Sequence, residues 1–434
     1  MILSENTEYK KLFQFSGAVF IPQIFSLATL VLLTSQLNLA DYALIAVLEA
    51  HLMLITPLIS LGVDRAAAKY STTLNIELVH EIGNGIISTS ALAFFLPYLG
   101  AYFLFDLGEV FNVGLFDFLV MYLVAYSYNL LTLLQVKNQF SGQPLSYLIA
   151  SVFKTFFPMV FIAIGILFLN LGVKSFTYGM FAASIILIFY TKSNSSLVLS
   201  FWRKDWHLGS SMILYGLPLL PAFISGWVIS WSNRFFLSLY VSDSELGLYS
   251  AVFKYSLVFF LFIQAANLYM TPIIYRLLEA KNYQKVEKFL LLSIFLFFFG
   301  SVAYTGLMKF FLPYFGVVSS VEIIIGVGIM NYLSGIAAIT TQLLLLFHKK
   351  TKDLMYGAIF YAVICLGSYS ILVPKLQIFG VLFSNVICVA VANMVFLMLV
   401  NRAITFRRFS FIYVLLNLSV VFISIAMMPA YLLS

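Results

Sequence analysis

Five ionisable side chains lie inside long apolar stretches of this sequence: Glu49, His51, Lys154, Arg234 and Lys254. A charge at the centre of a hydrocarbon layer costs roughly 2.5–3.5 kcal/mol on insertion scales, so each implies a wet cavity, a partner or a task. Three of the five are permanent cations and one is an acid, which favours an anionic ligand. Lys154 lies too far inside its stretch for its stem to carry the ammonium to water. Helical spacing puts Tyr147, Ser151, Lys154 and Pro158 on one stripe. A polar stripe on an apolar helix should face a wet interior; the plainer reading is a structural pair with Glu49. Arg234 follows Trp231 and Trp227 at helical spacing, which puts the three on one face. A guanidinium fork grips phosphate through two bonds, and indole faces stack on sugar rings; the plainer reading is an interfacial Arg in an aromatic belt. Lys254, one turn after Ser250, either lines a cavity or snorkels outward. Glu49 shares a stripe with Thr56 and Ser60, where it balances Lys154 or carries a proton. His51 points about 160° away on the same helix, so the two cannot face one cavity. It is a proton-coupling candidate or a packing residue. Asp64 and Arg65 close the second apolar stretch, with Arg65 either a first contact for an anion or a charge anchor.

The elements that carry these side chains must be membrane helices. Of the 434 residues, 62% are hydrophobic and only 9% charged, against about 25% charged in soluble chains. Apolar runs of spanning length begin near Leu12, Tyr42, Gly83, Leu115, Leu145, Phe176, Met212, Tyr249, Phe289, Ile323, Leu354, Val381 and Phe411. Lipid admits only helices or closed barrels, and runs without period-2 alternation are helices. An all-α, multi-pass membrane protein of thirteen spans is therefore predicted. With the N-terminus cytoplasmic and loops counted alternately, 18 of the 24 Lys and Arg fall inside, among them Lys69, Lys137, Arg203, Lys204, Lys349, Lys350, Arg402 and Arg407. Only Lys174, Lys309 and Lys375 fall outside, as the positive-inside rule requires. The net charge of +7 is accounted for by that topology, which excludes nucleic acid as a partner. Cys365 and Cys388 sit in apolar runs and imply neither a disulfide framework nor a metal site. No cleavable leader is expected, because the polar start runs into a span long enough to remain. Walker A, dinucleotide and HExxH patterns are missing, so no cofactor and no ATP-driven step are expected.

A weak repeat divides the chain. Gly17-Ala-Val-Phe-Ile-Pro22 opens the first span and Gly216-Leu-Pro-Leu-Leu-Pro221 the seventh, each followed by an acidic turn containing Asp41 or Glu245. Two six-helix lobes, residues 1–200 and 201–403, with one further helix over 404–434, are expected. Leu58-Ile-Ser-Leu-Gly62-Val-Asp64-Arg65, Gly216-Leu-Pro218-Leu-Leu-Pro221, Ser232-Asn233-Arg234-Phe235 and Gly247-Leu-Tyr249-Ser-Ala then resemble, in order and spacing, motifs of the polysaccharide flippases. These are the O-antigen and capsule repeat-unit transporters of the multidrug/oligosaccharidyl-lipid/polysaccharide exporter superfamily. The likeness covers about the first 280 residues; beyond them only span count and loop length agree. The pattern departs at Asn233, where those proteins usually carry Asp, which puts any ion-coupling role there in doubt.

The resemblance implies two lobes around a central cavity that opens alternately to each side of a bacterial inner membrane. Its implied cargo is an undecaprenyl-pyrophosphate-linked oligosaccharide, with membrane lipids and a polysaccharide polymerase as partners. Lys154, Arg234 and Lys254 would hold phosphates, Trp227 and Trp231 sugars, and Arg65 the entrance, with Glu49, Asp64 and His51 as coupling candidates. A drug/cation antiporter of the same superfamily is the alternative, although cationic drugs want acidic cavities. A polysaccharide polymerase is the other, and it would need a long catalytic external loop for which this chain has no room. An enzyme is not expected. A purely structural scaffold leaves the embedded charges unexplained.

Overall fold

The computed structural model describes residues 2–194, 205–315, 321–337, 344, 351–401 and 408–419. All regular elements among them are helical. In chain order they are α1 (Ile2–Gln36), α2 (Leu39–Ser60), α3 (Val63–Tyr70), α4 (Ile76–Leu104), α5 (Leu107–Val110), α6 (Leu115–Phe140), α7 (Pro144–Leu167) and α8 (Lys174–Asn194). Then come α9 (Trp206–Gly216), α10 (Leu220–Ser230), α11 (Asn233–Ser238), α12 (Asp243–Glu279), α13 (Tyr283–Phe311), α14 (Val321–Ala337), α15 (Thr351–Asn401) and α16 (Arg408–Ser419). Each of the thirteen expected span starts falls on a helix. Among the described residues, seven helical stretches are long and apolar enough to cross a membrane; α9 and α10 count as one, joined by a 3₁₀ turn over Leu217–Leu219. The protein is an all-α, multi-pass membrane protein. Six of the cations counted as internal (Arg203, Lys204, Lys349, Lys350, Arg402 and Arg407) lie outside the described residues, as do the expected lobe boundaries at 200/201 and 403/404.

Helix ends follow local chemistry. Asn38 caps α2 by accepting from the Asp41 amide at 2.7 Å, and Asn75 caps α4 through the Glu77 amide at 2.9 Å. Ser242 and Glu245 form a reciprocal capping box at the start of α12. The short helices α3 and α11 were not expected. After α2 the chain takes left-handed conformations at Leu61 (φ 49°) and Gly62 (φ 70°), then winds α3. After α10 it breaks at Trp231 and Ser232 before α11.

The chain forms two compact units, Met1–Ile224 and Ser225–Ser434. In the first, α7 packs against α1, α6 and α8, while α6 also packs against α2, α3 and α4. Polar ties cross these contacts: Asn129 Nδ2 donates to the Thr56 carbonyl at 2.9 Å, and Ser90 Oγ donates to the Ile59 carbonyl. In the second unit one apolar core draws Phe259, Phe297, Leu333, Phe396 and Tyr413 from five helices. Its α15 is a hairpin folded at Gln377 (φ 51°, ψ −124°). The arms run antiparallel in close register, with Gly357 under the Phe396 ring, Ser368 Oγ 3.2 Å from Cys388 Sγ, and Gly380 against the Leu372 carbonyl.

Candidate functional site

In the first unit the polar stripe of α7 faces α6. Ser151 is buried and accepts from Gln135 Nε2 at 2.9 Å. One turn on, the Lys154 ammonium lies 4.8 Å from the Tyr128 ring centroid, and the Tyr128 hydroxyl donates to the Lys154 carbonyl at 3.3 Å. Tyr128 and Gln135 are seven residues apart and share one face of α6. The Glu49 carboxylate is within electrostatic reach of the Tyr128 hydroxyl, and Asp64 within reach of Lys154. Lys154 and Glu49 thus both approach one tyrosine, and a ring face over an ammonium stabilises it by cation–π attraction. Cation, acid and phenol together can bind an anionic group or pass a proton.

His51 belongs elsewhere. Its Nε2 is 2.7 Å from the Tyr98 hydroxyl, and that hydroxyl donates to the Phe118 carbonyl at 2.7 Å. A hydroxyl has one proton, so Tyr98 must accept from His51, which fixes the Nε2–H tautomer. The imidazole also lies 4.5 Å from the Phe118 ring. The ring is thus held at Nε2 by Tyr98 and packed on Phe118. Arg65 stands largely exposed at the end of the span, 3.5 Å from Asp64 Oδ2.

In the second unit Arg234 is buried. Its guanidinium lies 4.5 Å from the Trp231 ring and 4.9 Å from the Phe253 ring, and Nη1 donates to the Ser230 carbonyl at 3.1 Å and to Asn233 Oδ1 at 3.4 Å. Asn233 Nδ2 donates to the Tyr249 hydroxyl at 2.9 Å, and on the α15 hairpin the Tyr369 hydroxyl donates to Asn385 Oδ1. Lys254 is half-buried on α12. Trp231 shares the face of Arg234 as its spacing predicts. Trp227 packs on Phe235 across the turn at Trp231–Ser232, with ring centroids 5.7 Å apart.

No protein-family model matches the sequence, and no curated protein sequence matches it either. Solved structures do. An inward-facing multidrug resistance MATE transporter of the MOP superfamily aligns with TM-score 0.69 at 13% identity, over 89% of this chain and 98% of its own. The lipid II flippase MurJ, in an inward closed conformation, aligns with TM-score 0.68 at 15% identity, over 97% and 99%. The chain has their fold. An outward-facing MATE transporter aligns less closely, with TM-score 0.57 at 14% identity over 90% of this chain. The MATE neighbours belong to the superfamily whose flippases the motifs resemble.

Within this fold two of the sequence motifs meet. A Cβ on Gly62 would sit 2.7 Å from the Gly216 carbonyl oxygen and 2.9 Å from its Cα. Glycine at both positions lets the α2–α3 turn touch the end of α9 backbone to backbone, so the motif glycines have a packing reason. Sequence reasoning missed Tyr128, Gln135 and Tyr249. For the first two a signal was available, because polar residues seven apart in an apolar span mark a face. Tyr249 was noticed only as part of a motif.

Proposed function

We propose that this chain is a secondary transporter that flips an undecaprenyl-pyrophosphate-linked oligosaccharide from the cytoplasmic to the outer leaflet of a bacterial inner membrane. The observation that carries the reading is Lys154: a cation deep in a span, set over Tyr128 and on the polar face that α7 turns to α6. Three permanent cations against one acid within spans suit a phosphate-bearing cargo. Lys154 is the first phosphate ligand, and Arg234, stacked on Trp231, and Lys254 supply a second cationic region. The shared fold supports alternating access between two lobes, and the flippase neighbour supports a lipid-linked cargo. Glu49, within electrostatic reach of Tyr128, is the coupling candidate we favour over His51, whose Nε2–H is held by Tyr98.

The MATE neighbours support a second reading, export of a drug or other small solute. Proteoliposomes carrying a fluorescent undecaprenyl-pyrophosphate oligosaccharide separate the two. Transfer between leaflets by wild type and its loss in Lys154→Ala is the expected result. Ethidium efflux without lipid transfer would establish drug export and refute the flippase.

A further inference from the structure

The helix α3 is short, but its two faces differ sharply. Val63, Ala66 and Ala67 are buried, while Arg65 and Lys69, one turn apart, are exposed. Its depth follows from α2, whose 22 residues extend about 33 Å at 1.5 Å per residue, enough to cross a hydrocarbon core of about 30 Å. The left-handed turn at Leu61–Gly62 therefore falls where the span ends, and α3 lies at headgroup level. The Gly62–Gly216 contact pins it there against α9.

Tyr215 of α9 completes the arrangement. The Lys69 ammonium sits 4.1 Å from the Tyr215 ring centroid, and Tyr70 meets the same ring edge-on at 6.4 Å. Tyrosine and lysine at this depth mark a membrane–water boundary, and the ring fixes the direction of an otherwise flexible ammonium. Arg65 and Lys69 carry two positive charges, and Asp64, 3.5 Å from Arg65, offsets one. These three side chains of α3 sum to +1.

We propose that α3 and Tyr215 bind the phosphodiester headgroup of an anionic phospholipid in the cytoplasmic leaflet, the side to which the charge asymmetry assigns Arg65 and Lys69. A phosphodiester carries one negative charge and matches that sum; a pyrophosphate carries more and is undercompensated. This moves Arg65 from the cargo's entrance, where the sequence put it, to a lipid anchor, and it holds whichever cargo the transporter carries. Bound lipid would clamp the α2–α3 turn against the α9 end.

The test is native mass spectrometry of the intact protein titrated with phosphatidylglycerol and with phosphatidylcholine of the same acyl chains. Wild type should prefer phosphatidylglycerol. At about fivefold per cation, Arg65→Gln and Lys69→Gln should each weaken that preference about fivefold, and the double variant about thirtyfold. Lys69→Arg, which keeps the charge, should restore most of it. Melting temperatures in detergent show whether each variant is folded. Equal binding of both lipids by wild type, or an undiminished preference in a folded double variant, overturns the proposal. So does displacement of phosphatidylglycerol by undecaprenyl pyrophosphate in wild type but not in Lys69→Gln, which would return these cations to the cargo.

Discussion

Gly62→Ala is the sharpest test of the architecture. At φ 70° the residue is left-handed, a conformation that costs a side chain about 1–2 kcal/mol. The added methyl would also meet the Gly216 backbone, its carbonyl oxygen at 2.7 Å and its Cα at 2.9 Å. Backbone cannot turn aside as a side-chain tip can, so α9 or the α2–α3 turn must move, at an overpacking cost of about 1–3 kcal/mol. Together these give a destabilisation of about 2–5 kcal/mol, or a fall in melting temperature of about 4–20 °C if the first unit melts as a domain of its size. Fluorescence-detected thermal unfolding in detergent reads this directly. Gly100→Ala is the control: no atom lies within 4 Å of its Cβ position, and alanine inside a helix is worth up to about 1 kcal/mol over glycine. A Gly62→Ala protein that melts with wild type, or a Gly100→Ala protein that falls as far, would refute both the close approach and its role.

Substitutions at three further positions probe named hydrogen bonds. Tyr98→Phe removes the hydroxyl that accepts from His51 and donates to the Phe118 carbonyl; a loss of about 1–3 kcal/mol is expected, seen as a lower melting temperature with transport rate unchanged. Asp117→Asn breaks the 2.8 Å ion pair to Lys174, whose ammonium end is half-exposed and can hydrate, so about 1–2 kcal/mol should be lost; high salt should not reproduce the loss, because the carboxylate itself is buried. Asn233→Leu removes the bonds to Tyr249 and Arg234 and should cost about 1–3 kcal/mol, whereas Asn233→Asp should stay close to wild type in unfolding assays.

Long apolar runs made the helices legible, since bilayer thickness sets their length and every expected start lies on one. What hydropathy could not reveal were the breaks within runs. Leu61–Gly62 and Trp231–Ser232 are two-residue turns inside stretches that read as continuous, and Trp227 packs on Phe235 across the second. Side-chain surroundings were legible only where spacing alone decides them. The stripe through Ser151 and Lys154 faces polar partners as its period requires. Arg234 read as a cavity residue because an embedded cation asks for water or an anion. The structure sets it beside Trp231, the Ser230 carbonyl and the Asn233 amide oxygen, all within four residues of it, and beside Phe253 of α12, a position that no single-helix pattern connects to it.

The fold of α15 at Gln377 bears on how this chain is made. Its arms are joined by a turn too tight to leave any extended segment between them, and they pair closely from Gly380 beside Leu372 to Phe396 beside Gly357. No soluble segment separates the arms, so both must be in the bilayer before either can complete its packing. The hairpin therefore packs in the membrane as one unit. Lys375, beside the turn, has no loop in which to be reached, so a protease added from either side should leave this part of the chain uncut.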